Sequence, residues 1–194
     1  MSGSAPRMIV GLGNPGSTYE KTRHNIGFDA LHRLHQAMGS PTVQSKFESM
    51  MVRGRLEDQE LILLWPMTYM NCSGRAVSPA ARFYKVAIEN ILVVCDDLSL
   101  PLGKLRIRKS GSSGGQKGLD DILKAFGSQD VPRLRIGIDA TPENVDTAQY
   151  VLSKFSKKER ETVDVALDQA ELAMRCWLKD GIDQTMNRFN ISKS

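Results

Sequence analysis

The chain has 194 residues, of which 41% are hydrophobic and 25% charged, and it carries a formal net charge of +4 at pH 7. These proportions are ordinary for a globular protein of one compact domain. No apolar stretch approaches the roughly 20 residues of a transmembrane helix, which argues against a membrane-spanning protein. The mild positive charge permits a nucleic-acid partner without requiring one.

The ends of the chain indicate the bounds of the domain, and its cysteines indicate the redox compartment. The first seven residues, MSGSAPR, lack the apolar segment of a secretory signal peptide. We therefore predict a disordered extension or cloning remnant over 1–7, one domain over 8–190 and a polar tail over 191–194. The three cysteines are far apart and lack metal-ligand spacing. They predict neither a disulfide framework nor a zinc site, and they suit a reducing cytoplasm.

The first half of the chain alternates strand and helix signals. A buried strand is predicted at 8–12 and a helix at 25–38. Two strand-like runs, at 47–56 and 60–65, flank the polar turn sequence EDQ. A further helix is predicted at 71–86 because its apolar residues recur at helical spacing.

The second half continues this alternation. The apolar run ILVVCDD, Ile91–Asp97, is typical of a central strand that ends at an exposed edge of a sheet. The remaining predicted elements are a strand at 104–109, a Gly/Ser-rich loop at 110–115, a helix at 119–126, a strand at 134–138 and a long helix at 157–179. With no repeat or linker, this order predicts an α/β fold: a single domain with a twisted, mixed, mostly parallel sheet flanked by helices.

The segment IVGLGNPG spells G-x-G-x-x-G at Gly11, Gly13 and Gly16, directly after the first strand. A dinucleotide fingerprint needs its last glycine at a strand-to-helix turn and an acidic residue about 20 positions later. Here a polar stretch delays the helix, and the corresponding position is Gln36. The motif therefore predicts no dinucleotide cofactor, and the cysteines predict no metal site. A nucleotide-dependent oxidoreductase is the most distant alternative.

His24 lies in the polar stretch TRHNIG, near the start of the first helix. Asp96 and Asp97 end another strand, and we expect them at the same carboxyl edge of the sheet, where sites of α/β proteins form. A carboxylate beside an imidazole fixes its tautomer and stabilises its charged form, as a general base requires. A structural histidine and a solvated turn are the plainer alternatives. Cys95, within the apolar strand, is a less favoured candidate nucleophile.

Two asparagines lie in glycine-flanked loops, Asn14 in GNPG and Asn71 in YMNCSG. Asparagine is suited to shaping a turn, because it tolerates left-handed backbone. Its amide is equally suited to binding a substrate carbonyl, since it offers both a donor and an acceptor.

Basic residues alternate with apolar ones in two predicted strands. In KLRIRK, Lys104, Arg106 and Arg108 share one strand face, and RLRIGI repeats the pattern with Arg133 and Arg135. Both strands are thus predicted to point arginines away from the core. Such a face is either simply solvated or a phosphate-binding surface, because the guanidinium fork matches phosphate oxygens.

Four ordered segments closely resemble the bacterial-type peptidyl-tRNA hydrolases: VGLGNPGSTYEKTRHNIG, PMTYMNCSG, ILVVCDDLSLPLGKLRIRKSGSSGG and PRLRIGI. The resemblance runs from Met8 to about Asn190. It implies that family's fold and hydrolysis of the ester that joins a peptide, or an N-blocked amino acid, to tRNA. It further implies a cytoplasmic, monomeric enzyme of translation that recycles peptidyl-tRNA released from ribosomes and needs no cofactor.

The resemblance also implies roles for single residues. His24 corresponds to the catalytic base and Asp96 to the residue that supports it. Asn14 matches the asparagine that contacts the peptide part and helps to distinguish blocked from free aminoacyl-tRNA. The remaining matches line the substrate cleft or hold the 5′-phosphate end of the tRNA: Tyr19, Tyr69 and Asn71 for the cleft, Arg108 and Arg135 for the phosphate.

One segment departs from the family pattern. Where many members read Gly-Gly-His-Asn-Gly, this chain reads GGQKG, with Gln116 and Lys117 at the two central positions. The family asparagine is often assigned to binding substrate and the catalytic water. A charged lysine donates hydrogen bonds but cannot accept one, so we do not transfer that role to Lys117. The departure keeps open a second function, a non-catalytic RNA-binding relative of the splicing-adaptor type.

Overall fold

The computed structural model describes residues 5–190, which form one mixed β-sheet with helices on both faces. The described strands are β1 Arg7–Gly11, β2 Gln44–Lys46, β3 Ser49–Leu56, β4 Gln59–Pro66, β5 Ile91–Asp97, β6 Leu105–Arg108 and β7 Arg133–Gly137. The described helices are α1 Ile26–Ala37, α2 Ser73–Phe83, α3 Lys117–Phe126, α4 Thr147–Val151 and α5 Lys157–Phe189.

The sheet has the strand order β2-β3-β4-β1-β5-β7-β6. Its four central strands, β4, β1, β5 and β7, are parallel. Antiparallel pairing occurs where β2 and β3 extend one side and β6 closes the other. The predicted α/β class, single domain and mixed sheet are therefore confirmed. All four parallel strands end at one edge, where the loops that follow them meet.

Two hydrophobic layers hold the helices on the sheet. On one face, α1 and α5 cover a cluster that includes Ile9, Leu63 and Trp177. On the other face, α2 and α3 cover a second cluster that includes Val10 and Val93. Neighbouring positions of β1 thus point to opposite faces, and both faces are buried, as expected for a central parallel strand.

Two glycines explain how α1 approaches the sheet so closely. A Cβ on Gly11 would lie 2.4 Å from the carbonyl oxygen of Gly27, and a Cβ on Gly27 would lie 2.4 Å from that of Val94. Both distances are shorter than van der Waals contact, so neither position accommodates a side chain. The start of α1 is consequently held against the ends of β1 and β5. Gly11 of the glycine motif serves this packing, and Gly16 is followed by a short 3-10 helix, Ser17–Tyr19, rather than by the α-helix of a dinucleotide fingerprint.

Several boundaries differ from the predicted ones. The predicted strand at 47–56 begins only at Ser49, because Phe47 and Glu48 form a hairpin turn with positive φ values of 55° and 50°. β2 and α4 were not predicted. The long helix continues past 179, but its helical geometry is interrupted at Gly181. β1 includes Arg7, which the sequence analysis assigned to the extension. Residues 1–4 and 191–194, within the predicted extension and tail, lie outside the described residues.

The end of α5 returns to the sheet beside β6. The Asn190 side chain accepts a hydrogen bond from Ile107 N at 2.7 Å and donates one to Ile107 O at 2.9 Å. Both bonds are made by backbone groups of β6 on the side that faces away from β7. The chain's last described residue is therefore fixed against the sheet.

Candidate active site

A cleft of about 1010 Å³ opens at the edge of the sheet where the parallel strands end. The loops after β1 and β4, the end of β5, the loop before α3, and α4 all contribute to its walls. The predicted site residues that line it are Asn14, His24, Tyr69, Asn71, Asp96, Lys117 and Arg135. The structure therefore brings together most of the residues that the sequence singled out.

His24 and Asp96 form a hydrogen-bonded pair in this cleft. His24 belongs to a short 3-10 helix, Arg23–Asn25, that leads into α1, and Asp96 is the second-last residue of β5. His24 Nδ1 lies 2.8 Å from Asp96 Oδ2, and the side chains are 12% and 4% exposed. Because a carboxylate only accepts hydrogen bonds, Nδ1 carries the proton. The other ring nitrogen, Nε2, is thereby left as an acceptor, which is what a general base needs.

Asp96 has a second hydrogen-bond donor that the sequence analysis did not assign. Gln116 Nε2 donates to Asp96 Oδ1 at 3.0 Å, while Gln116 Oε1 accepts from Leu119 N at 2.7 Å and caps α3. The two oxygens of the carboxylate are therefore held by different partners. The sequence indicated neither contact, because the helix was predicted to begin only at 119 and glutamine is not among the favoured N-cap residues.

Asn14 is fixed by the loop after β4. Its side-chain oxygen accepts from Met70 N at 2.8 Å, and its backbone N–H donates to Asn25 Oδ1 at 2.9 Å. Since a backbone N–H only donates, the oxygen of the Asn14 amide must face Met70. The Asn14 Nδ2 group is left for the cleft. The sequence analysis expected the Asn14 amide to offer both a donor and an acceptor. In the structure it offers the cleft only the donor.

The other residues predicted for the cleft differ in accessibility. Asn71 and Lys117 are exposed, and Tyr69 is 62% exposed at the mouth of the cleft. Lys117 is the first residue of α3. Tyr19 is half-buried in a short 3-10 helix, Ser17–Tyr19, and it does not line the cleft. The geometry therefore groups Asn71, Tyr69 and Lys117 with the pair, but not Tyr19.

Asp97 makes contacts different from those of its neighbour. Its Oδ1 accepts from the backbone N–H and the hydroxyl of Ser99, and its Oδ2 lies 3.2 Å from Arg135 Nη1. Arg135 also donates through Nη2 to the carbonyl of Ser112 at 2.8 Å. Asp97 thus shapes the turn after β5 and holds Arg135. Arg135 in turn fastens the glycine-rich loop before α3.

The arginine faces are only partly as predicted. Arg106 and Arg108 are exposed on β6, whereas their apolar neighbours are buried, so the alternation there is confirmed. For Arg133 the predicted outward face is wrong, because the side chain is 1% exposed and bonds the carbonyls of Val131, Ser112 and Gln129. Burial, with a smaller effect of Arg135, lowers the Arg133 pKa to about 10. Arg133 supports the loop from beneath.

Arg23, directly before His24, ties the site to the far wall of the cleft. Its guanidinium lies over the rings of Tyr150 and Phe155, at 4.4 and 4.7 Å from their centroids. It also forms an ion pair with Glu159 at 2.8 Å. These contacts fix the segment that carries His24 against α4 and the start of α5. No signal in the sequence distinguished Arg23 from other surface arginines.

Cys95 does not have the surroundings of a nucleophile. It is 1% exposed, and burial, followed by the charge of Asp96, raises the pKa of its thiol. Catalytic thiols need the opposite shift, because the thiolate is the reactive form. Within residues 5–190, no group of three or more His, Cys, Asp or Glu side chains is arranged to hold a metal ion. Nor does any helix in that range have the length and apolar character to cross a membrane.

Comparisons with known proteins match the chain to one family over nearly its whole length. A family model described as Peptidyl-tRNA hydrolase matches residues 8–194. A peptidyl-tRNA hydrolase from Rhodopirellula baltica is 48% identical over 187 residues, which cover 95% of this chain and 97% of that protein. One from Caldanaerobacter subterraneus subsp. tengcongensis is 44% identical over 183 residues, covering 94% and 98%. The crystal structure of the peptidyl-tRNA hydrolase from Acinetobacter baumannii matches with a TM-score of 0.91 at 37% identity, covering 100% of this chain and 98% of that one.

Proposed function

The chain belongs to the peptidyl-tRNA hydrolase family and is an enzyme that hydrolyses peptidyl-tRNA, and we propose that His24 is the general base of this reaction. The observation that carries the proposal is the 2.8 Å bond between His24 Nδ1 and Asp96 Oδ2 at the wall of the cleft. In this role His24 Nε2 takes a proton from water, and Asp96 orients the ring and stabilises the imidazolium that forms. A positioned base of this kind typically contributes about 10²–10⁴-fold to the rate.

The remaining steps follow from the same geometry. The water oxygen attacks the ester carbonyl carbon, and the tetrahedral intermediate carries negative charge on the former carbonyl oxygen. Asn14 Nδ2 is available as a donor to that oxygen, and Asn71 is exposed nearby in the same cleft. Collapse of the intermediate breaks the bond to the ribose oxygen, which receives the proton from His24 Nε2. The products are tRNA and the peptide's carboxylic acid, which releases its proton to solvent to give the carboxylate.

The amide orientation of Asn14 supports its proposed role in selecting blocked substrates. An N-blocked aminoacyl group carries a carbonyl oxygen close to its α-nitrogen, which a donor can bind. A free aminoacyl group instead carries an ammonium at neutral pH, for which a donor offers no partner. The contact between Asn14 and Met70 thus favours peptidyl-tRNA over aminoacyl-tRNA.

The tRNA is proposed to bind along the basic side of the cleft. Arg135 of β7 lies at the cleft wall, whereas Arg108 is exposed on β6 beside Arg133 and outside the cleft, so the tRNA would extend from the cleft across β6. Contacts of these side chains with phosphate would make affinity depend on salt and leave it indifferent to the anticodon. A cytoplasmic location fits this substrate and the free thiols of Cys72, Cys95 and Cys176. A monomer stays a prediction, which light scattering after gel filtration checks.

Hydrolysis of an N-acetyl-aminoacyl-tRNA by wild-type protein and by His24→Ala tests the proposal. The variant should lose hydrolysis while keeping its melting temperature and its affinity for tRNA. His32→Ala is the matched control, because His32 is exposed on α1 and stacks on Trp65 outside the cleft. Near wild-type turnover by His24→Ala would overturn the general-base assignment. Tight tRNA binding by a wild-type protein without hydrolysis would favour the non-catalytic RNA-binding relative.

A further inference from the structure

The Gln116 side chain bridges the proposed catalytic pair and the start of α3. Its amide orientation follows from its two partners, because Leu119 N can only donate and therefore faces Oε1. The amino group Nε2 must then point to Asp96 Oδ1, 3.0 Å away. Nε2 also lies 3.2 Å from Met70 Sδ, so the amide is held on both sides. This glutamine occupies the position where the resembled family pattern has histidine.

The bond changes how strongly Asp96 acts on His24. A donor to a carboxylate stabilises its charged form and takes up part of its negative charge. The charge left to attract a protonated imidazole through Oδ2 is correspondingly smaller. Unlike histidine, an amide neither gains nor loses a proton between pH 4 and 10, so its effect on Asp96 is the same throughout that range.

Other charged groups around the pair are already engaged or face solvent. Asp97 is paired with Arg135, and Arg23 with Glu159. Lys117, next to Gln116, is exposed. Among residues 5–190, the hydrogen-bond partners of the Asp96 side chain are His24 and Gln116, and within that range its carboxylate forms no ion pair with an arginine or a lysine. Gln116 is therefore the partner of Asp96 through which the charge seen by His24 is set.

We propose that Gln116 is a positioning residue that fixes Asp96 and sets the pH above which His24 becomes available as a base. The inference rests on the proposed function of His24. Gln116 lines the cleft, and its side chain bonds Asp96 rather than the His24 ring, so in this role it acts through Asp96. Through its bond to Asp96, Gln116 bears on how that carboxylate stabilises a protonated His24 ring.

Gln116→Glu tests this with little change in shape. A carboxylate keeps the acceptor for Leu119 N, so the cap of α3 should be preserved, although the two neighbouring carboxylates should lower the melting temperature. It removes the donor to Asp96 and adds a negative charge, which should hold the proton on His24 to higher pH. We expect the acid limb of the kcat/KM profile and the NMR titration of the His24 ring to move up by about one pH unit or more. His24→Ala assigns the NMR signal among the three histidines.

Two further variants separate the effect of the Gln116–Asp96 hydrogen bond from the effects of net charge and of the helix cap. Lys124→Gln makes the same change in net charge near the other end of α3, where Lys124 pairs with Asp120, and should leave both pH readouts unchanged. Gln116→Met removes donor and cap together. It should lower the melting temperature and move the readouts in the same direction as Gln116→Glu, but less.

The outcomes distinguish this inference from the proposed function. A His24 titration and an acid limb that stay at their wild-type pH in Gln116→Glu and Gln116→Met would overturn the role of Gln116, even if the rate fell. Hydrolysis that survives His24→Ala would overturn the general base instead. The NMR titration needs no substrate, so it tests the coupling of Gln116 to His24 in either case.

Discussion

The side-chain oxygen of Asn14 accepts a 2.8 Å hydrogen bond from the backbone N–H of Met70, which joins the loop after β1 to the loop after β4. This bond fixes which end of the amide faces the substrate. The donor that the Asn14 amide offers to the cleft thus depends on a backbone N–H of a different loop.

Asn14→Asp should convert this donor into an acceptor. The carboxylate can still accept from Met70 N, so the loops should stay in place, but its second oxygen would repel a carbonyl or an oxyanion. We expect hydrolysis of N-acetyl-aminoacyl-tRNA to fall about 10²–10³-fold, the range for loss of one oxyanion donor. The ratio of rates on free and N-acetylated substrates should rise, because a carboxylate attracts ammonium. An unchanged rate at an unchanged melting temperature would remove Asn14 from the reaction.

The two adjacent aspartates should respond very differently to the same substitution. Asp96→Asn removes the acceptor that holds the His24 tautomer, and we expect a loss of about 10²–10⁴-fold in kcat/KM. Asp97→Asn keeps an acceptor for Ser99 but breaks the ion pair with Arg135. It should change kcat/KM by less than about tenfold while lowering the unfolding free energy by about 1–3 kcal/mol. Kinetics and denaturant melts of both variants measure this, and the reverse order would mean that the wrong carboxylate was assigned.

Arg108→Ala and Arg135→Ala should separate tRNA binding from loop support. Arg108 is exposed, so its loss should raise KM for tRNA substrates, reduce the salt slope by about one and leave stability unchanged. Arg135 also holds Ser112 and Asp97, so its loss should in addition lower the melting temperature. A minimal substrate that carries only the terminal adenosine should be hydrolysed normally by Arg108→Ala. Equal losses on both substrates would place Arg108 in catalysis or folding.

Lys117→Asn should retain activity and change the rate or KM by no more than about ten- to a hundredfold. One hydrogen bond to a charged or polarised group is worth roughly 1.5–3 kcal/mol, which corresponds to that range. Lys117 is exposed at the start of α3, and the pair of His24 and Asp96 forms without it. Steady-state kinetics on N-acetyl-aminoacyl-tRNA measure the change. An inactive wild-type protein rescued by Lys117→Asn would show that this position had abolished catalysis.

Sequence patterns predicted the elements whose burial follows a simple period. The uninterrupted apolar run of β5 and the alternation of β6 are both visible in the letters, and the structure confirms them. The positions of His24 after the first strand and of Asp96 at the end of β5 predicted a common carboxyl edge, because sites of α/β proteins form where parallel strands end. In contrast, β2 consists of three residues, all of them exposed, and α4 is only five residues long. Neither element is long enough to show a hydrophobic period in the sequence.

Contacts between distant loops were beyond such patterns. Arg133 alternates correctly with Leu134, yet it is buried because the loop before α3 folds over it and offers backbone carbonyls. The oxygen of the Asn14 amide is occupied by a backbone N–H 56 residues away, and the Gln116 amide bonds a side-chain carboxylate 20 residues away. Their orientation is set by the tertiary fold, for which the local sequence holds no signal.

The contact of Asn190 with Ile107 has a consequence for how copies of this protein meet one another. β6 is an edge strand, and a free edge pairs readily with any extended chain, including the same edge of another molecule. The Asn190 carboxamide occupies both the N–H and the carbonyl of Ile107, in the middle of that edge. Replacing Asn190 by alanine would leave the cleft intact but reopen a template for edge-to-edge association. This single side chain therefore satisfies the two backbone groups of Ile107 that an incoming strand would otherwise pair with.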